Sequence, residues 1–440
     1  MPSDWSATTL GDCADFFSGG TPRKSNGAYW EGAIPWFSGK DLKSFYLSDS
    51  EDHVTEEGAE AGSRLVPAGT ILLLVRGMTL HNNVPIGVLT REATFNQDIK
   101  ALRARSGVQQ SFLVHWLVSQ KPRLLSTVHA AGHGTGVLAT DRLRALELVL
   151  PPPDEQARIA QVFDLIQDKI EQNRRTGGAL EGLARATFKA WFVDFEPVQA
   201  KAAGQTSFPG MPPAAFAALP DRFVDSEVGL VPEGWEGNVA RVDELERKGL
   251  LLIGDGYRAK RAELAETGLP FIRAGNVNGT IRTEGAELLG SVAVAKSGVK
   301  RSQPWDTVFT SKGTVGRIGL VTPAIGEVVY APQVCFWRSR KHEELSPVLL
   351  HLWMKSPCFT SQWMSVKGQT DMADFVSLSD QRAMKMLVAP HGLQKAADAI
   401  VRPLIELQAN LADESSKLAA LRDYLLPRLL SGRVRVSGCV

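Results

Sequence analysis

The chain has 440 residues, enough for two or three domains that each bury a core of their own. Its 44% apolar and 22% charged residues describe a soluble globular protein, and no apolar run reaches the roughly 18–20 residues of a membrane span. A formal charge of +1 excludes a uniformly basic nucleic-acid binder, although residues 240–320 hold thirteen Lys/Arg against nine Asp/Glu.

The start, "MPSDWSATTLGD", has neither the basic nor the apolar segment of an export signal, so a cytoplasmic location is expected. Cys13, Cys335, Cys358 and Cys439 are far apart with no CxxC, which predicts neither disulfides nor a zinc site.

Residues 1–150 read as a mixed domain of short β-rich runs punctuated by Gly, Pro and Asn, with a helix near its end. Pro151–Pro153 stop the last strand, and Asp154 and Glu155 supply acids for the first turn of a long helix over 151–195. Ile159, Phe163, Ile166 and Ile170 step by four, three and four, and Leu180 continues the register. Gly177-Gly178 weakens this helix. Residues 196–234, rich in Pro, Ala and Gly, read as a linker with little core of its own. A second mixed domain follows over 235–390, then a second long helix over 391–432 and a short tail, 433–440. Its seam is Ile400, Leu404, Leu407, Leu411, Leu418, Leu421 and Leu425, with Pro403 expected to kink it early.

The chain is written twice. Trp5 answers to Trp235, "AIPWFSGKDL" (33–42) to "GLPFIRAGNV" (268–277), and "AGTILLLVRG" (68–77) to "WDTVFTSKG" (305–313). "FNQDIKAL" (95–102) answers to "APQVCFWR" (331–338), with Gln97 and Gln333 in register. "VHWLVSQKP" (114–122) answers to "LHLWMKSPC" (350–358), and "TDRLRALELVLPP" (140–152) to "SDQRAMKMLVAP" (379–390). Six matches in one order, about 236 residues apart, predict an internal duplication. The fold class that follows is α+β: two pseudo-repeated mixed α/β domains separated by two long helices that form an antiparallel coiled coil. A helix of about 35 residues is roughly 52 Å long, which would hold two half-sites about 15 base pairs apart at about 3.4 Å each.

Catalytic constellations are missing. No GxxxxGK[ST] loop and no [DNS]-P-P-[YF] tetrad occurs, and no nucleophile–base arrangement can be chosen without arbitrariness. His129 and His133 are four apart, but Gly132, Gly134 and Gly136 make their stretch a loop, so no metal site is expected.

"LPPPDEQARIAQVFDLIQDKIEQNRR" (150–175) resembles the start of the first conserved helix in specificity subunits of Type I restriction–modification systems. "ATFKAWFVDFEPVQAKAAG" (186–204) and "DSEVGLVPEGWE" (225–236) resemble the region that leads into the second recognition domain of one branch of that family. The second helix departs from the pattern, since "APHGLQKAADAI" (389–400) keeps only Gln394 of the Glu-Gln opening. The resemblance implies a non-catalytic reader of double-stranded DNA, each globular copy being a target-recognition domain for half of a bipartite sequence. Methyltransferase subunits would dock on the helices and restriction subunits would add cleavage. S-adenosylmethionine, ATP and Mg would belong to those partners, with no cofactor in this chain and no membrane.

Long cationic and amide side chains on equivalent loops are then the candidate DNA contacts: Arg23, Lys24, Lys40, Arg76, Asn82, Asn83 and Gln97 in the first copy, and Arg258, Lys260, Arg273, Asn276, Lys312, Arg317 and Gln333 in the second. Two rival readings are a bifunctional restriction–methylation enzyme, which the missing tetrad argues against, and a coiled-coil protein-interaction scaffold.

Overall fold

The computed structural model describes residues 4–130, 134–369 and 374–436. The chain divides into two compact units. One comprises Met1–Arg174 with Glu414–Val440, the other Arg175–Asp413.

In the first unit a five-stranded sheet runs in the order Ala14–Ser18, Ile99–Ala104, Ile71–Leu74, Ile86–Leu89, Tyr46–Leu47. Its central strand is ILLL, with all four residues buried, as a strand covered on both faces must be. Helix Gln110–Ser119 buries Phe112 through Val118 in the same core. Strands Ser6–Thr9 and Glu147–Leu150 pair antiparallel, so the domain closes on its own beginning just before the prolines.

The second unit repeats this plan. Its sheet runs Leu251–Gly254, Val334–Ser339, Thr307–Thr310, Ile318–Leu320, and Val239–Arg241 pairs with Lys385–Leu387. Each unit adds one short parallel pair, Trp36 with Thr94 and Phe271 with Val329. These ladders establish the duplication and confirm the matching of Trp36 with Phe271 and of the 68–77 run with 305–313. They correct one alignment. Val75 donates its N–H to the carbonyl of Asp98, whereas the equivalent Ser311 donates to the carbonyl of Gln333 (both 2.8 Å). Gln333 therefore stands where the first copy has Asp98, and Gln97 is one residue out of register.

The long helices span Pro153–Phe192 and His391–Leu430, 40 residues each. Both run unbroken, through Gly177-Gly178 in one and Pro403 in the other. In the first unit they pair antiparallel: Arg422 donates to Gln167 (3.1 Å), and Asn173 to Glu414 (2.8 Å). Ile159 and Phe163 join the core there with Leu426, Leu429 and Leu430. In the second unit Gln408 donates to Glu181 (3.1 Å), and Ala184, Phe188 and Trp191 share a core with Leu393, Ala397, Val401 and Ile405.

The heptad reading of the second helix needs correction. Leu407 and Leu421 are each 46% exposed, while Val401, Ile405 and Leu426 are buried instead. Ile166, Ile170, Leu180, Ile400, Leu404, Leu411, Leu418 and Leu425 flank the contact half-buried. A helix turns every 3.6 residues, so a strict 3.5-residue register drifts by about 20° per heptad unless the helices supercoil to hold it. The centre of the pair is also polar, with Gln167, Glu171 and Asn173 buried, and so lacks apolar knobs to hold that register.

Residues 196–234 are less bare than their composition suggests. They form helices Glu196–Ala202 and Pro213–Ala217 and the hairpin Phe223–Ser226/Gly229–Pro232, and Val198, Met211, Phe216 and Leu219 are buried in the second core. Trp191 and Phe195 lie in that core as well, so they are packing residues and not an open patch.

Candidate nucleic-acid interface

A strand buried on both faces has to surface at its end, and there its first charged side chain meets solvent. In the first unit the apolar run Ile71–Val75 surfaces at Arg76, and in the second Thr307–Ser311 surfaces at Lys312. The surroundings match. Leu138 donates its N–H to Val75 (2.8 Å) and Val376 donates to Ser311 (2.9 Å), laying a second segment beside each cation. Arg76 pairs with Val137 along that segment, and Lys312 bridges to Phe375. Both cations are exposed and have no ion-pair partner among the described residues. Asn82 and Asn83 follow the turn Met78–His81 and are exposed beside Arg76 in sequence. An exposed, unneutralised Arg or Lys with neighbouring amides can contact phosphates and base edges at no cost in broken ion pairs.

Arg23, Lys24, Arg258 and Lys260 are exposed too. The other six predicted contacts have partners, or buried atoms, within the protein. Lys40 lies between Asp52 (3.0 Å) and Glu51 (3.1 Å), whose hydrogen bonds raise its pKa, and the hollow beside it is lined by Lys24 and His53 as well as by Glu31, Glu51 and Asp52. Arg273 is paired with Glu287, and its N–H donates to the Asn276 side chain (3.0 Å), so Asn276 is a local cap. Arg317 donates to the carbonyls of Ala274 (3.1 Å) and Val277 (3.4 Å) and so braces its loop. Gln97 is exposed and accepts from Thr21 at its side-chain oxygen (2.7 Å), and the Gln333 side-chain oxygen is buried without a hydrogen-bond donor among the described residues.

Sequence reasoning missed the residues that fasten each domain to its helix. Gln156, fully buried, accepts from the N–H of Gln109 (2.8 Å) and donates to the carbonyls of Pro151 (2.9 Å) and Gly107 (3.0 Å). Gln394 repeats the latch: it accepts from Ser346 N–H (3.0 Å) and donates to Ala389 (2.8 Å) and Glu344 (3.0 Å). Glu155, which accepts from the Trp5 indole (2.9 Å), becomes the buried Leu393 in the second copy. Farther along the first helix Asp164 accepts from Ser111 (2.6 Å) and lies 2.8 Å from His115 Nε2, and Asp168 accepts from Tyr46. Burial pushes the Asp164 carboxyl up, but the bonds from His115 and Ser111 outweigh it and hold it below the usual carboxylate range.

At the heart of the second domain Arg338 donates twice to the fully buried Asp306 (both 2.7 Å), and Tyr330 donates to the same carboxylate (2.7 Å). The equivalent position in the first domain is Thr70, whose hydroxyl donates to Pro67 (2.7 Å). His351 is enclosed, and burial pushes its pKa down to about 3. No group of three or more His, Cys, Asp or Glu is placed to hold a metal ion among the described residues. His129 lies exposed on the strand His129–Ala130, while His133 and Cys439 fall outside the described residues. No described helix is long and apolar enough to cross a membrane.

Residues 2–177 match the family model of the Type I restriction modification DNA specificity domain. The specificity subunit of the Type I restriction enzyme MjaIX from Methanocaldococcus jannaschii is 25% identical over 99% of this chain and 95% of that protein. The EcoR124I/EcoR124II specificity subunit of Escherichia coli is 30% identical over 40% of this chain and 43% of its own length. Among solved structures, the Type I restriction–modification S subunit from M. genitalium aligns over 97% of this chain and 96% of that one, with a TM-score of 0.54 at 15% identity, a likeness of fold.

Proposed function

We propose that this chain is a specificity subunit of the Type I restriction–modification kind, which its likenesses support, and that it divides the labour of recognition between its two domains. It is a non-catalytic DNA-recognition subunit, and each of its two domains reads one half of a bipartite target. Arg76, with Asn82 and Asn83, serves the first half-site, and Lys312 serves the second. Arg23, Lys24, Arg258 and Lys260 add phosphate contacts that fix position more than sequence. The two long helices space the readers and carry the methyltransferase subunits. Those partners supply S-adenosylmethionine and the reacting groups, and restriction subunits bring ATP- and Mg-dependent cleavage.

The observation that carries this reading is the repeated placement of an unpaired cation, Arg76 and Lys312, at the same end of the same buried strand in two domains of one topology. A scaffold for two proteins has no need of matched cations at matched strand ends. The modest net charge fits a subunit that shares phosphate contacts with partners.

The test is co-expression with the cognate methyltransferase subunit, followed by mapping of methylated adenines. A motif of two short specified blocks around an unspecified spacer is expected. A verified complex that leaves methylation unchanged, or that methylates one contiguous motif, contradicts the reading.

A further inference from the structure

The repeat exposes one position where the copies obey different chemistry on an identical backbone. Before the central strand of each sheet lies the same turn. Gly69 has φ +81° and donates its N–H to Leu89 (2.7 Å); Trp305 has φ +75° and donates to Val321 (2.6 Å). Leu89 and Val321 return equivalent bonds, to the carbonyls of Thr70 (3.0 Å) and Asp306 (2.9 Å). Left-handed backbone suits glycine, and a large aromatic residue rarely adopts it. The second copy therefore holds a tryptophan where the geometry asks for none, and such outliers persist where the side chain has a task.

What the indole touches identifies the task. The Arg402 guanidinium lies 4.8 Å from the Trp305 ring centroid. Arg402 sits on the second long helix and is held by both oxygens of Asp398 (2.7 and 2.9 Å), which also accepts from Ser346. In the first copy the turn is fastened differently: Gln110 donates to the carbonyl of Gly69 (2.9 Å). By the matching of the Gln156 and Gln394 latches, the place of Gln110 is taken by Pro347, which has no amide to offer. The second copy thus lost the bond from its short helix and gained a stacked contact with its long one.

We propose that Trp305 is a positioning residue, clamped by Arg402, that fixes the direction in which the second domain presents Lys312 to DNA. This rests on the function proposed above. The central strand starts two residues after Trp305 and ends two before Lys312, so the clamp and the cation sit at opposite ends of a lever about 20 Å long. A tilt of about 10° at the clamped end moves the other by about 3.5 Å, close to the axial step of one base pair. The clamp is therefore a determinant of spacer length and leaves the choice of bases within the half-site to the loops.

The experiment uses the complex of the full chain with its methyltransferase subunit. Methylation rates are compared on the native target and on targets whose spacer is one base pair shorter or longer. Trp305→Gly, which suits the backbone, and Arg402→Ala should each lower the preference for the native spacer by about three- to tenfold, the worth of a lost cation–π contact, with half-site base preference unchanged. Trp305→Phe, which keeps an aromatic face, should restore most of it. In the full chain alone, Arg402→Ala should speed hydrogen exchange at the Trp305 amide. Unaltered spacer preference in both variants, or exchange indifferent to Arg402, overturns the proposal. A wild-type complex that methylates no bipartite target overturns the functional reading instead, and the exchange measurement then judges the clamp by itself.

Discussion

The two junctions between a globular domain and its long helix make the instructive comparison. Both keep one buried glutamine with the same three backbone bonds, Gln156 and Gln394. Around that constant the partners change character. The first junction uses acids, with Glu155 accepting from Trp5 and Asp164 from Ser111. The second keeps one acid, Asp398, accepting from Ser346, and adds Leu393 against an apolar core and Arg402 stacked on Trp305. Bonds to the backbone depend only on the fold, so they survive divergence of the copies. Side chain-to-side chain pairs can be exchanged wholesale, provided that both members change together.

The largest expected contrast lies at the sheet centres. Asp306→Ala strands Arg338 without its carboxylate and should cost about 3–5 kcal/mol, as broken buried pairs do. Thr70→Ala, the equivalent change, should cost about 1 kcal/mol. Chemical denaturation of the two variants checks this, and equal losses would mean that the buried pair is not what distinguishes the copies.

Acid should separate the copies next. Folding lowers the His351 pKa from 6.5 to about 3, so the unfolded chain takes up the proton first. The stability it contributes is complete above about pH 6.5 and falls as pH drops toward 3, by up to about 1.4 kcal/mol per unit. His351→Leu should flatten that slope in a urea midpoint-against-pH series. Asp164, with its pKa lowered, contributes in the first unit only above the ordinary carboxylate range and loses its effect as pH falls below it. Hydrogen exchange resolved by unit should therefore show the second core loosening at higher pH than the first.

The latches sharpen the comparison from the other side, because here the copies should agree. Gln156→Ala strands the half-buried N–H of Gln109 and Gln394→Ala the buried N–H of Ser346, and each should cost about 1–3 kcal/mol. A marked inequality in thermal unfolding would show that one latch has become redundant.

The smallest effect is on DNA. Arg76→Ala and Lys312→Ala should each reduce the salt dependence of binding by roughly one phosphate contact, with no change in melting temperature. A fluorescence titration across salt concentrations reads it, and a change for one residue alone would restrict DNA contact to one copy.

Much of this was legible in the sequence, for physical reasons. Fully apolar runs such as Ile71–Leu74 announce buried strands, and the ladders put their repeats where the text does. Gln97 and Gln333 misled because an identical residue type one place out of register is invisible without a hydrogen-bond ladder. Leu407 and Leu421 misled because a heptad count presumes an apolar seam, and this one turns polar at Gln167, Glu171 and Asn173. The bracing role of Arg317 was hidden because nothing in its neighbours in sequence reveals the carbonyls of Ala274 and Val277. Trp305 is the extreme case, since its backbone angle is not written in its side chain and emerges only beside Gly69.

The central claim is that the two copies read separate halves of one target. It is tested most directly by replacing residues 1–150 with the corresponding region of a Type I specificity subunit and mapping adenine methylation by the hybrid complex. The account predicts that one half of the motif changes while the other half stays as it was. Alteration of both halves, or a motif indifferent to the exchange, would contradict it.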